Sequence, residues 1–301
     1  MGFIENHTGE FAALLTAVFW AVSALAFETA TIRLGSVAVN ILRLILGFMF
    51  LAILNAVRRG LPFPSDAGID NWFWLILSGL VGFVFGDLFL FKSYAIIGSR
   101  FSMLIMTLVP PVTAFFGWLM LGEHLTLLNL LGMILTFSGI GLAILTRDGS
   151  KKEKLTLKLK PVGVLYAFGG TLGQALGLIL SKMGMKDYDP FASTQIRIIA
   201  GIGGFAVLIT FMKRWTSVIV SLRDKAGMKA LTVGALFGPF LGVSFSLVAV
   251  QLTKAGIAST IMALTPVFIL LPAVFLYRQK VTLPEIAGAL ISVSGVALFF
   301  L

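Results

Sequence analysis

Ten long apolar stretches follow one another along the chain, with polar segments between them. A stretch of about 20 apolar residues spans the roughly 30 Å hydrocarbon core of a bilayer as an α-helix. A helix satisfies its own backbone N–H and C=O groups, which lipid cannot do. The sequence therefore predicts an all-α integral membrane protein with ten transmembrane helices. The predicted spans cover residues 10–30, 36–57, 72–96, 100–121, 126–145, 162–183, 190–212, 228–252, 256–277 and 282–301.

One connection between the spans is longer and more polar than the others. It reads TRDGSKKEKLTLKLKP, covers residues 146–161 and lies near the middle of the chain. It divides the sequence into a first five-helix repeat, residues 1–148, a charged linker, residues 149–161, and a second five-helix repeat, residues 162–301.

The two halves are copies of each other. An offset of 156 residues places IMTLVP over IMALTP, and an offset of 154 residues places RLILG over RIIAG. Shared apolarity alone would not align proline, arginine and glycine together. Small residues recur every four positions and predict faces where helices approach closely. These residues are Ser78, Gly82 and Gly86, then Gly234, Gly238 and Gly242, and also Gly169, Gly173 and Gly177.

Five spans in each half is an odd number, so the second half enters the membrane from the opposite side. The repeats are therefore predicted to be inverted. Transporters are commonly built from inverted repeats, because one half that rocks against the other exposes a central site to each side in turn. The pattern predicts a secondary transporter that works by alternating access.

Composition and charge agree with a membrane protein. The chain is 58% hydrophobic with a mean hydropathy of +1.01, and only 12% of its residues are charged, against about 25% in soluble domains. Its net charge of +10 comes from Lys and Arg in the connections, where they set membrane topology, so no nucleic-acid partner is predicted. The start, MGFIENHTGE, lacks the basic residues of a signal peptide, and the first apolar run is read as the first span.

The sequence predicts neither an enzyme nor a resident cofactor or metal. It has no Cys and two His, which excludes thiolate chemistry, and it carries no zinc-protease, nucleophile-elbow or Walker signature.

Prolines interrupt the fourth and ninth spans at equivalent places, Pro110 with Pro111 and Pro266. Proline inside a helix costs about 3 kcal/mol because it removes a backbone donor and clashes with the preceding turn. Such breaks are tolerated in membranes where they face protein or a water-filled cavity. Recurrence in both halves predicts that these prolines form a cavity wall.

Asp87 lies well inside the third predicted span, and Tyr94 follows on the same helical face. An acid at this depth is expensive unless it is paired, protonated or hydrated. Its equivalent in the second half is Val243, so the repeat itself does not require an acid. Asp87 is therefore the first candidate to bind a proton or a cationic substrate group. The alternative is a structural ion pair, with Arg43 as the candidate partner.

Arg43 and Arg197 are equivalent residues in the second and seventh spans, and a polar residue precedes each by about one turn, Asn40 or Thr194. Because a shared feature of both repeats usually belongs to the scaffold, a structural role is favoured for these four residues. Anion binding is the alternative, since a guanidinium offers a fork of donors that matches a carboxylate.

Four further polar or aromatic residues are candidates for the substrate site. Trp20 and Gln174 occupy equivalent midpoints of the first and sixth spans, so the halves differ where a central site would lie. Ser244 and Gln251 share one face of the eighth span. Each alone is typical of an interhelical hydrogen bond, but as a group they predict a polar lining.

The sequence resembles the EamA group of the drug/metabolite transporter superfamily. The resemblance covers nearly the whole chain in two copies and is carried by LGEHLTLLNLLGMILTFSGIGLAIL, the upstream VPPVTAFFGWL and the second-span motif ILRLILG. It implies ten spans in two inverted halves, a central cavity, and export or exchange of a small metabolite such as an amino acid in a bacterial inner membrane. The second copy departs at Gln279, which stands where the first has Glu123.

The sequence leaves two alternatives open for the orientation of the chain and for its function. The Lys and Arg of the connections after spans five and seven would place both termini outside the cytoplasm, whereas the resemblance implies cytoplasmic termini, so both orientations stand. A flippase for a lipid-linked head group is the alternative to a metabolite transporter, and an intramembrane enzyme or a sensor ranks below both. The predicted partners are a small-molecule substrate, the lipid bilayer and, as a second candidate, protons.

Overall fold

The computed structural model describes residues 5–146, 160–269 and 282–301, and every regular element in these ranges is helical. Seven helices there are long and apolar enough to cross a membrane, and three shorter apolar helices accompany them. The predicted linker, residues 149–161, falls mostly outside the described residues. The elements are α1 Thr8–Leu34, α2 Ser36–Arg59, α3 Ile69–Gly79, α4 Asp87–Met106, α5 Val109–Leu121, α6 Leu127–Thr146, α7 Pro161–Met185, α8 Pro190–Phe211, α9 Trp215–Ser221, α10 Lys225–Ala235, α11 Val243–Leu252, α12 Ala255–Met262 and α13 Leu283–Ala297.

A π-helical segment lies in the third helix of each half. Leu80–Gly86 joins α3 to α4, and Leu236–Gly242 joins α10 to α11. The two segments are related by the same 156-residue offset that aligns the sequences. Such wide turns are rare and recur at functional sites. Asp87 is the first residue after the first segment, and Val243 the first after the second.

The helices break just before the prolines that recur in the two halves of the chain. Helix α4 ends at Met106, and α5 begins at Val109, which places Pro110 and Pro111 in its first turn. There the missing N–H costs nothing, because a helix leaves its first N–H groups unpaired in any case. The second half turns at residues 263–264, directly before Pro266. The predicted break in span 100–121 is therefore present, and it falls at residues 107–108, before the prolines and not at them.

The boundary between the third and fourth predicted spans is a bend within α4. The Ser93 hydroxyl donates to the Ser102 hydroxyl at 2.7 Å. In a straight helix residues nine apart would lie about 13.5 Å from each other along the axis. The helix is therefore not straight between these two residues, where the third and fourth predicted spans meet.

Helices α6 and α13 pack antiparallel about an approximate two-fold axis. Thr136 Oγ1 donates to Ser292 O at 3.4 Å, and Ser292 Oγ donates to Thr136 O at 3.3 Å. These two residues are equivalent in the repeats, so the contact is reciprocal. A Cβ added to Gly139 would lie 2.4 Å from Gly288 O, and a Cβ on Gly288 would lie 2.6 Å from Gly139 O. Helices this close have room only for glycine.

The predicted glycine faces are packing surfaces. A Cβ on Gly173 of α7 would lie 2.6 Å from the Cα of Gly86, and one on Gly177 would lie 2.8 Å from the Cα of Gly82. Such close backbone approach supplies the van der Waals contact that holds membrane helices together. Bulky apolar side chains point away from the packed faces, for example Leu119, which is 60% exposed.

Candidate functional site

A cavity of about 280 Å³ lies between the two halves, and side chains from both line it. The broken helices supply much of its wall in equivalent pairs, which are Met106 with Met262, Thr107 with Ala263, Val109 with Thr265, and Pro110 with Pro266. At the second break Thr265 Oγ1 donates to Met262 O at 2.8 Å, which satisfies a carbonyl near the proline. Pro111 is not part of the wall. The cavity is thus built on the element that the prolines interrupt.

Trp20 and Gln174 line the cavity from equivalent positions on α1 and α7. Each side chain packs against the last glycine of one of the small-residue faces. A Cβ on Gly242 would lie 2.6 Å from Trp20 Nε1, and one on Gly86 would lie 3.4 Å from Gln174 Nε2. The glycines therefore make room for two different side chains at the same place in the two halves.

Asp87 forms an ion pair with Arg43 and accepts a second hydrogen bond from Gln174 Nε2 at 3.2 Å. The two donors occupy different carboxylate oxygens, because Arg43 binds Oδ2 and Gln174 binds Oδ1. Since an ionised carboxylate only accepts hydrogen bonds, the amide of Gln174 turns its NH₂ group toward Asp87. Asp87 itself is not among the lining residues, so it contacts the cavity through Gln174.

Arg197 lines the cavity and is only 5% exposed. Its guanidinium lies over the ring of Phe83, with Cζ 5.0 Å from the ring centroid. Its Nε is buried without a hydrogen-bond partner. Within the described part of the chain it forms no ion pair, in contrast to Arg43.

The other predicted site residues lie away from the cavity. Ser244 is fully buried and its Oγ has no partner in the described ranges, while Gln251 Nε2 donates to Lys186 O at 2.8 Å. Asn40 is buried, and the Thr194 hydroxyl donates to Pro190 O within its own helix at 2.9 Å. Tyr94 lies in α4, but its side chain falls outside what the structure describes.

Sequence reasoning missed a polar cluster at the ends of several helices. Lys182 Nζ bonds Glu123 Oε1 at 2.6 Å and Thr253 O at 2.7 Å. Glu123 Oε2 accepts from the backbone N–H of Ala255 at 2.8 Å. The Thr253 hydroxyl in turn donates to Glu10 Oε1 at 2.6 Å. The cluster lines a second, wider cavity of about 760 Å³ and ties α1, α5, α7, α11 and α12 together.

Another polar contact joins two loops on the same side of the molecule. Tyr188 donates from its hydroxyl to Asp66 Oδ1 at 2.8 Å, and Arg59 pairs with Oδ2 of the same carboxylate. Burial acts to raise the pKa of Asp66, but the hydrogen bond from Tyr188 and the nearby Arg59 outweigh it and hold the pKa below its usual value. The described residues contain no group of three His, Cys, Asp or Glu placed to hold a metal ion.

Comparison with known proteins gives a family match over both halves. The EamA-like transporter family matches residues 7–145 and again residues 161–301. A crystal structure of another protein superposes with a TM-score of 0.73 over 97% of this chain and 96% of its own, at 15% identity. At that identity the likeness shows the fold alone.

Curated relatives carry transporter names without an assigned substrate. The uncharacterized transporter YvbV of Bacillus subtilis is 25% identical over 194 residues, which are 63% of this chain and 59% of that protein. The uncharacterized transporter YyaM of the same organism is 27% identical over 228 residues, 73% of this chain and 70% of that protein. The match thus spans less than two thirds of YvbV. The probable transport protein YPL264C of Saccharomyces cerevisiae is 38% identical over 71 residues, 24% of this chain and 20% of that protein.

Proposed function

Because the chain belongs to the EamA-like transporter family, we propose that it is a secondary transporter that carries a small organic metabolite, such as an amino acid, by alternating access. The observation that carries the proposal is the cavity between the two halves, whose wall is built from equivalent pairs of residues at two broken helices. A site on the axis between inverted repeats is reached from either side when one half rocks against the other. Gradients of solutes or ions drive the proposed transport.

We infer ten crossings in two inverted halves. Three observations support this topology: the shared offset of the π-helical segments, the reciprocal contacts of α6 with α13, and the polar cluster. With ten alternating crossings, the helix ends that carry Glu10, Glu123, Lys182 and Thr253 all fall on one side of the membrane. Their mutual hydrogen bonds agree with that placement.

Single-cysteine labelling tests the topology directly, because the chain has no native cysteine. Ser65 and Ser217 are exposed residues in the connections after α2 and α8. The variants Ser65→Cys and Ser217→Cys should react with a membrane-impermeant maleimide from opposite sides of sealed vesicles. Labelling of both from the same side would contradict the inverted arrangement.

Alternating access requires that contacts at one end break when that end opens. The Lys182–Glu123 pair is such a contact, because it joins α7 to the segment after α5. Glu123 also accepts from the first N–H of α12, so the pair holds three helix ends together. In the proposed cycle these bonds form when this side is closed and separate when it opens.

Asp87 is proposed to respond to protons. Both of its carboxylate oxygens are engaged, one by Arg43 and one by Gln174, and Asp87 is not among the described residues that line the cavity, so it does not face a cationic substrate group in this conformation. Protonation would remove the charge that holds Arg43 and would weaken the hydrogen bond that orients Gln174 at the cavity wall. A proton on Asp87 is thereby linked to the shape of the site.

The test is the pH profile of uptake by proteoliposomes. A metabolite that stabilises the purified protein in a thermal-shift screen is labelled and used as the substrate. We expect wild-type uptake to vary between pH 5 and 8, Asp87→Asn to lose that variation, and Asp70→Asn to keep it, because the Asp70 side chain is 82% exposed. The double variant Asp87→Asn with Arg43→Gln leaves no unpaired charge and controls for folding. An unchanged pH profile in Asp87→Asn would remove this residue from the mechanism.

A further inference from the structure

The two equivalent arginines have different surroundings, although the repeats place them alike. In the first half Arg43 pairs with Asp87. The residue equivalent to Asp87 in the second half is Val243, which lines the cavity together with Arg197. The second half therefore keeps the arginine and lacks its acid. The cavity lies where that carboxylate would be.

Arg197 needs a counterion for physical reasons. A charged side chain at bilayer depth is expensive unless it is paired, hydrated or able to reach the interface. Arg197 is only 5% exposed, its Nε is buried without a hydrogen-bond partner, and its guanidinium forms no ion pair in the described ranges. Its contact with Phe83 is a cation–π interaction, which is weaker than pairing with a carboxylate. A bidentate anion in the cavity would satisfy the donors that the chain leaves unpaired.

We propose that Arg197 binds the carboxylate of the transported molecule, which thereby occupies the place that Asp87 fills in the first half. The inference rests on the proposed transport function and names the substrate class of that site, a small organic monocarboxylate with an apolar body. The apolar body follows from the rest of the wall, which is formed largely by side chains such as Met103, Leu178 and Ile140.

The lining also argues against a cationic or neutral substrate. None of the described lining residues is acidic, so an ammonium group finds no counterion there, and among the metabolites of the proposed function a carboxylate without an ammonium group is favoured over an amino acid. The amide of Gln174 faces Asp87 with its NH₂ group, and its carbonyl oxygen is left as an acceptor for a hydroxyl or N–H elsewhere on the substrate. The positive charge of Arg197 therefore favours a carboxylate in this cavity.

Three probes that share a phenylethyl body and differ in the polar group test the charge preference: 3-phenylpropanoate, 3-phenylpropanamide and 2-phenylethylamine. We expect only the anion to raise the thermal stability of the detergent-purified protein and to compete for uptake in proteoliposomes. Arg197→Gln should weaken binding of the anion by about 100-fold, since one partner of a buried charge pair is removed. Arg197→Lys keeps the charge but lacks the forked donors of the guanidinium, so its affinity for the anion should lie between those of the wild type and Arg197→Gln. Arg223→Gln, at an exposed position, should bind as the wild type does.

A second variant gives the opposite signature. Val243→Asp supplies the internal counterion, with a side chain of similar size to valine. We expect it to raise the melting temperature above that of the wild type and to abolish binding of 3-phenylpropanoate. A general defect in folding would lower the melting temperature instead, so the two effects separate. Val243→Asn, which adds polarity without charge, serves as its control and should lose the gain in stability.

The outcomes for the carboxylate site and for transport are separable. Equal binding of the amide or the amine, or anion binding in Arg197→Gln within threefold of the wild type, would overturn the assignment of Arg197. A Val243→Asp protein that still binds the anion would overturn it as well. If no solute crosses proteoliposomes, the proposed function fails, and the thermal-shift measurements still decide the anion site on their own.

Discussion

The contact of α6 with α13 gives a quantitative prediction for a single methyl group. In Gly139→Ala the new Cβ would lie 2.4 Å from Gly288 O and 2.4 Å from Ser292 Oγ. These distances are about 1 Å short of ordinary contact, so the helices must separate. Overpacking of this kind costs about 1–3 kcal/mol, and the reciprocal Thr136–Ser292 hydrogen bonds weaken as well. Alanine recovers up to about 1 kcal/mol of helix propensity. We therefore expect Gly139→Ala to lower the free energy of unfolding by about 2 kcal/mol.

A matched control lies two residues away on the same helix. A Cβ on Gly141 meets no atom within 4 Å, so Gly141→Ala should be neutral or stabilise the protein by up to about 1 kcal/mol. The two-fold relation predicts that Gly295→Ala, with a Cβ 2.6 Å from Thr136 N, destabilises about as much as Gly139→Ala. Unfolding in mixed micelles as a function of the mole fraction of dodecyl sulfate, followed by circular dichroism, measures each difference. If Gly139→Ala and Gly141→Ala agree within about 0.5 kcal/mol, the close packing of this pair is refuted.

Two further predictions concern charges at the helix ends. Lys182→Met leaves Glu123 without its ammonium partner in a side chain that is 11% exposed, so we expect a loss of about 1–3 kcal/mol in the same unfolding assay. Lys186→Met should change stability by less than about 0.5 kcal/mol, because its side chain is 65% exposed and its ammonium lies 3.9 Å from Asp70; equal losses would contradict the role of Lys182. The backbone N–H of Gly227 and then Arg33 lower the pKa of Asp224, so its stabilisation is present above pH 3.8 and is lost as the pH falls through the lower folded pKa. Melting temperatures between pH 3 and 7 should show a smaller acid-dependent drop for Asp224→Asn than for the wild type, and parallel curves would contradict this.

The sequence by itself determined the helical class, the internal repeat and the close-packed helix faces. Apolar length dictates membrane helices, and glycine every four residues marks faces where backbones touch, as Gly173 and Gly86 do. Proline marks a break because its ring and missing N–H act within one turn. These effects depend on neighbours along the chain, and the sequence therefore displays them. It did not show that the break falls at residues 107–108, before Pro110, because the cost of proline vanishes in the first turn of a new helix.

Only the tertiary structure decided which polar groups meet. The repeat makes Arg43 and Arg197 equivalent, yet one is neutralised by Asp87 and the other faces the cavity. Likewise the sequence groups Ser244 and Gln251 with the lining residues, and packing places both away from the cavity between the halves. The physical reason is that an ion pair or a cavity wall depends on the rotation and depth of helices far apart in sequence. The valine that stands in place of the acid at position 243 gains its meaning only once Val243 and Arg197 are both seen to line the cavity.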